Sequence, residues 1–311
     1  MSFIQKPREE NSAYLQLFML LLYAALGLAV FLVLGMLVLF AVYGTELINN
    51  PDILRFGDIR YRPALQIILA AQSLGLFLAP ALFLALMERQ KINAFYGFKV
   101  PGINLIGITI LIMLISMPFM EGIAVFNQKL SLPGFLKGLE AWMRNSEDAL
   151  KATTVMLLSM SGTKDLLINI LLIALLPALA EELMFRGALQ RIFARMFKNP
   201  HAAIWISAVI FSAIHMQFYG FLPRMFLGAG FGYLYWWSGS IWYAVLGHFL
   251  NNAYAVCVAF YMQQQHLPWT EESGTPQFAW YGHLISFLLT VAVFLYFKKQ
   301  SDQHVSNSSI S

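Results

Sequence analysis

The sequence predicts an all-α polytopic membrane protein with about eight transmembrane helices around a polar intramembrane site. Three observations predict it. Of the 311 residues, 59% are hydrophobic and 12% charged, whereas soluble domains carry about 25% charged residues. The apolar residues gather in runs close to the roughly 20 residues that carry a helix across a bilayer. The stretch Leu176-Pro-Ala-Leu-Ala-Glu-Glu-Leu-Met-Phe-Arg-Gly187 places Glu181, Glu182 and Arg186 inside one such run. An ionised carboxylate in hydrocarbon costs roughly 2.5–3.5 kcal/mol on insertion scales, so acids at that depth face a protein interior or a wet cavity.

The elements follow in chain order. The polar start, with Lys6 and Arg8, leads into Ala13–Tyr43, which is uncharged and reads as a first span. It is much longer than the roughly 7–15-residue apolar core of a cleaved signal peptide, so it reads as retained. A polar loop with Pro51, Gly57 and three arginines precedes a second span from Pro63 to Met87. A third runs from Ile103 to Met120 and is expected to end at Glu121. Beyond it, Phe135, Leu136, Leu139, Trp142 and Met143 recur at helical spacing among Lys137, Glu140 and Arg144. That is the pattern of an amphipathic helix on the membrane face, either a plain connector or a lid over a site.

Asp165 to Phe197 is the fourth and most unusual helix, apolar at entry and basic at exit through Arg191, Arg195 and Lys198. Pro177, one turn before Glu181, removes a backbone hydrogen bond and kinks the axis. The carbonyl it frees needs a partner, which suits a helix lining a cavity. Asn199-Pro200 reads as an N-cap with proline at the first helical position. It opens a short fifth helix that ends near His215. Leu222–Trp237, with Gly228, Gly230 and Gly232 allowing close helix contact, Ile241–Met262 and Phe278–Phe297 complete the count. Lys298-Lys299 should stop the last span, and the Ser/Asn-rich tail from Ser301 is expected to be disordered. An even count puts both termini on one side. The basic ends, against a loop from Gln263 to Gln277 without lysine or arginine, favour the cytoplasmic side of the plasma membrane.

The net charge of +4 comes from scattered basic residues. It excludes a nucleic-acid footprint and leaves the lipid bilayer as the expected surroundings. Cys257 is the only cysteine, so there is no intrachain disulfide and no cysteine zinc cluster.

Of the 16 acids, only Glu181 and Glu182 lie deep in an expected span. Neighbouring helix positions are about 100° apart, so the two cannot face the same way. Glu182 and Arg186 have the i,i+4 spacing of an ion pair, which leaves Glu181 to face elsewhere. His215 ends one apolar helix. His248 and Asn252 share a face of another, at i,i+4. Asn251 also lies near that face, about 60° to the other side of His248. Two glutamates, an arginine, two histidines and an asparagine on three helices exceed what packing alone calls for. His283 has no polar companion at helical spacing on its own helix and was not expected in the site. His201, His266 and His304 fall at expected helix ends or in loops.

Glu181-Glu-Leu-Met-Phe-Arg186, Phe211-x-x-x-His215 and His248-x-x-x-Asn252 resemble the three motifs of the CPBP family. That family groups type II CAAX prenyl endopeptidases with bacteriocin-processing and self-immunity (Abi) proteins. The resemblance implies an intramembrane endopeptidase acting on a membrane-bound peptide or protein. It implies Glu181 as the base that activates water, with His215 helping to hold that water. His248 and Asn252 would stabilise the oxyanion, and Glu182 and Arg186 would fix the helix. The family's metalloprotease label is disputed. Glu181, His215 and His248 are the residues that could bind zinc. There is no HExxH sequence, and an asparagine suits an oxyanion hole, so no cofactor is expected. The chain then divides into a three-span region (1–120), an amphipathic membrane-face segment (121–164), a CPBP protease core (165–262), and a last span with a polar tail (263–311).

Two other readings compete. A transporter would show inverted repeats and a second polar helix pair, and the first three spans hold only isolated polar residues such as Gln66, Gln72 and Ser73. A non-catalytic immunity or scaffold protein would carry the same polar set without cleaving anything.

Overall fold

A computed structural model describes residues 10–50, 53, 59–267 and 278–308. Lys6, Arg8, Gly57 and most of the loop before the last helix lie outside those residues. Nine principal helices are present among the described residues. They are α1 (Ala13–Tyr43), α2 (Arg62–Met87), α3 (Ile103–Gln128), α4 (Lys137–Leu157), α5 (Thr163–Phe197), α6 (Pro200–Ala213), α7 (Phe221–Ser238), α8 (Ile241–Gln264) and α9 (Trp280–Ser308). No strand occurs among the described residues.

Helix α5 is the axis of the fold. Every residue from Ala180 to Gln190 is buried, and a helix covered on all sides must be surrounded by others. It packs against α1, α2, α6, α7 and α8. By contrast α1 leaves Leu21, Leu26, Val33 and Leu37 exposed, an apolar surface that only lipid satisfies.

Tertiary contacts sort the helix ends into two sets. At one end, Glu10 holds Arg191 and Arg195, Ser240 Oγ donates to the Lys99 carbonyl, and Ser301 Oγ donates to the Trp237 carbonyl. At the other end, Asn127 bonds the backbone of Phe218 and Leu222, Gln263 bonds that of Leu158 and Met160, and Arg62 pairs with Asp165. Helices α1, α2, α3 and α5 to α9 therefore run alternately between two faces.

Six of these helices are long and apolar enough to cross a membrane: α1, α2, α3, α5, α8 and α9. The expected eight is not reached by length and composition alone. Helix α6 has 14 residues, about 21 Å at 1.5 Å per residue against a hydrocarbon core of about 30 Å. Helix α7 has 18 residues and is not among the six.

Two expected helix ends are corrected. Helix α3 continues through Glu121 to Gln128: a single charged residue ends a hydropathy window rather than a helix, and the Glu121 carboxylate lies 3.3 Å from His283 Nδ1. Helix α9 continues through Lys298-Lys299 to Ser308. Lysines end a hydropathy window rather than a helix, and Lys298 lies over the Trp237 ring at 6.0 Å. The Asn199 cap is as expected, its side chain accepting from the backbone N–H groups of His201 and Ala202.

Helix α4 is the amphipathic element. Phe135 just before it, then Leu139 and Trp142, stay exposed, as on a helix lying at the lipid interface. Its other side holds the 214–220 turn. Glu147 accepts from the Tyr219 backbone N–H at 2.9 Å and the Arg144 guanidinium sits over Tyr219, while the edge of the exposed face reaches the turn through Trp142, whose ring lies 5.9 Å from that of Phe218. Arg144 also bonds Glu140, which holds that carboxyl below its ordinary range.

Candidate active site

Three segments carry the expected residues. Helix α5 supplies Glu181, Glu182 and Arg186, the turn after α6 supplies His215, and α8 supplies His248 and Asn252. Helix α5 is not regular here. It widens into π-helical turns at Ile170–Leu175 and Leu183–Gln190, on either side of the α-helical stretch that holds the glutamates. Such turns recur at functional sites.

Glu182 and Arg186 form the i,i+4 pair, with Arg186 Nη1 donating to Glu182 Oε1 at 2.7 Å. Neither side chain is exposed by more than 1%. The same carboxylate oxygen lies 2.8 Å from His248 Nδ1. A carboxylate only accepts, so His248 carries a hydrogen on Nδ1. The Phe231 ring stacks on His248 with an interplanar angle of 13°. On the other side, His215 Nδ1 lies 2.7 Å from the Phe211 carbonyl, which fixes the same tautomer for His215.

With both Nδ1 atoms engaged, the two Nε2 atoms are left to face Glu181. Glu181 Oε2 is 3.8 Å from His215 Nε2 and 4.0 Å from His248 Nε2. That oxygen is buried and has no hydrogen-bond partner among the described residues. One orphaned carboxylate oxygen and two imidazole nitrogens thus converge on one spot.

The donor types suit zinc, and their spacing is wider than that of bound ligands. Ligands of a tetrahedral zinc lie about 3.3–3.5 Å apart, from Zn–N and Zn–O bonds near 2.0–2.2 Å, and both separations here are wider. Among the described residues no group of three or more histidine, cysteine or acidic side chains is placed to hold a metal ion.

Among the described residues Asn252 hydrogen-bonds neither the carboxylates nor the imidazoles. Its Nδ2 donates to the Ile173 carbonyl at 3.2 Å, and its Oδ1 accepts from Asn251 at 3.2 Å. Sequence reasoning missed the other support of the site. Arg186 Nη2 donates to the Gly228 carbonyl at 2.8 Å, and Gln190 Nε2 donates to the Gly232 carbonyl at 3.2 Å. The approach is tight at 228 and closer still at 232. A Cβ at 228 would stand 3.1 Å from Arg186 Nη2, and one at 232 would stand 2.9 Å from the Ile204 side chain. The signal was present: Arg186 and Gln190, like Gly228 and Gly232, are four residues apart.

Residues 163–254 match the family model described as type II CAAX prenyl endopeptidase, Rce1-like. All six candidate residues fall inside that segment. A stretch of 93 residues is 29% identical to the uncharacterized protein YpbD of Bacillus subtilis (strain 168), covering 29% of this chain and 44% of that protein. The match thus spans less than half the length of that relative. No solved structure matches the chain. The fold is that of an all-α polytopic membrane protein, and its residues 163–254 are similar to a family model whose description names a protease.

Proposed function

We propose that the protein is an intramembrane endopeptidase that hydrolyses peptide bonds of membrane-associated proteins or peptides without a metal. The observation that carries this reading is the convergence of Glu181 Oε2 with the Nε2 atoms of His215 and His248. A water hydrogen-bonded to Glu181 and His215 fits between groups this far apart.

In this reading Glu181 takes a proton from the water as its oxygen attacks the peptide carbonyl carbon. The charge that forms on the carbonyl oxygen then needs a donor. His248 supplies one from Nε2 as an imidazolium, with Glu182 behind its Nδ1. In that state the carboxylates of Glu181 and Glu182 face the cations of Arg186 and His248, and buried charges are tolerated when they are paired. Collapse of the intermediate returns the proton from Glu181 to the departing amine. Preformed donors at such a site contribute about 2.7–4 kcal/mol each to the transition state. Cleavage of prenylated CAAX substrates is the narrower form of the same proposal, carried by the family match alone.

Glu181→Gln tests the reading. The variant keeps the shape and loses the base, so membrane peptides processed in cells with the natural protein should accumulate uncut in cells with the variant. An identical peptide pattern in both would return the protein to the immunity or scaffold class.

A further inference from the structure

His215 does not sit on a regular helix. It lies in the turn between α6 and α7, and the residue after it, Met216, has φ +54°. That is left-handed backbone, which glycine takes readily and a residue with a Cβ disfavours. Such a residue stays in place where its surroundings determine it.

The surroundings here include two buried side chains from other helices. Helix α7 starts after Gly220, which has no side chain to cap it, so its first backbone N–H groups need partners from elsewhere. Asn127, near the end of α3, accepts from the Leu222 N–H at 2.8 Å and donates to the Phe218 carbonyl at 2.7 Å. Glu147, on α4, accepts from the Tyr219 N–H at 2.9 Å. Asn127 is 4% exposed and Glu147 5%, so water does not readily replace either of them. Ser212 Oγ donates to the Phe221 carbonyl at 2.6 Å and ties the start of α7 back to α6. The stretch between these fixed points, 213–217, has His215 at its centre.

We propose that Glu147 and Asn127 are positioning residues for His215: by fixing the backbone of 218–222 they hold the left-handed turn at Met216, and with it the imidazole whose Nε2 faces Glu181. This rests on the reading of His215 as a group that holds the attacking water. Both residues lie outside the matched segment 163–254, so the family match does not supply them. Helix α4 is then the seat of the turn that carries His215.

The test uses the full-length protein in detergent, with Glu147→Ala, Glu147→Gln and Asn127→Ala. The first readout is hydrolysis of a quenched farnesylated peptide with a CAAX end, with rates taken per folded molecule after gel filtration. The second is the nitrogen NMR spectrum of ring-labelled histidine, with the His215 signals assigned from their loss in His215→Gln. Each alanine variant should lower kcat by about 10²-fold, the scale for moving a catalytic group by an ångström. KM should not change, as for a group that acts only in the transition state. The signal of the Nδ1–H that His215 directs at the Phe211 carbonyl should shift in both. Glu147→Gln keeps an oxygen that accepts from the Tyr219 N–H, so its kcat and its His215 signals should match those of the natural protein. Each substitution leaves the other clamp in place, so where one alanine variant gives no folded protein the other decides.

A natural kcat in the alanine variants, or His215 signals that do not move in them, overturns the proposal. So does a Glu147→Gln variant as slow as Glu147→Ala, which would assign the effect to charge rather than to the bond. Should the natural protein show no Glu181-dependent hydrolysis of the probe, the endopeptidase reading fails by itself, and the His215 signals still report whether α3 and α4 hold the turn.

Discussion

Arg186→Met is the perturbation with the clearest structural arithmetic. The substitution keeps much of the side-chain volume and removes the charge. Glu182 is 0% exposed and Arg186 1%, so the carboxylate left behind cannot recruit water. Breaking a buried pair from one side costs about 3–5 kcal/mol. The bond to the Gly228 carbonyl is lost as well, as is the guanidinium stacked 4.5 Å above Phe211. Against a total stability of about 5–15 kcal/mol, most of the folded population is at risk. Adding Glu182→Gln removes the stranded charge, and replacing both members of a buried pair is often close to neutral. The double variant should therefore regain most of the loss. Reversible unfolding in mixed micelles, titrated with sodium dodecyl sulfate, measures both. Natural stability in Arg186→Met, or a double variant no more stable than the single one, would show that the pair does not hold α5 as argued.

The remaining predictions concern function and topology. Glu181→Gln should leave folded yield unchanged while abolishing cleavage, which gel filtration and peptide profiling read side by side. Activity should survive dialysis against a strong chelator, and loss restored by one equivalent of zinc would make Glu181, His215 and His248 metal ligands instead. Reporter fusions after Lys99 and Lys299 should both be cytoplasmic and one after Gln265 should not. A tag at Gln217 decides the span count: it lies opposite Lys99 if α6 crosses the membrane, and on the same side if it does not.

The part of the site that was legible in the sequence was legible for electrostatic reasons. Charges are rare in apolar runs, so Glu181, Glu182 and Arg186 stand out before any helix is drawn. His248 and Asn252 follow from spacing along one helix, and His215 from its place at the end of an apolar one. Contacts between helices had no such signature. His283 looked isolated because its companions lie on α3: Glu121, and the Pro118 carbonyl at 2.7 Å. No fixed sequence spacing relates residue 121 to residue 283. The same holds for Asn252 and Ile173. That bond depends on how α8 docks against α5. The end of α9 was misplaced for a different reason, since hydropathy reports where lipid ends and the helix continues past it.

The structure also changes the division of labour between the adjacent glutamates. Spacing along α5 assigns Glu182 to Arg186 and so to holding the helix. In three dimensions one oxygen, Oε1, accepts from both Arg186 Nη1 and His248 Nδ1, at 2.7 and 2.8 Å. The guanidinium is anchored in turn on the Gly228 carbonyl of α7, so a single atom joins α5, α7 and α8. Moving any of the three displaces His248 relative to Glu181. A carboxylate between two donors also disfavours turning the imidazole over, which keeps Nε2 toward Glu181. Glu182 is therefore the fold's anchor and the orienting partner of His248 at once. A stabilising role and a catalytic one cannot be separated by substituting Glu182 alone, which is why the paired change with Arg186 is the informative experiment.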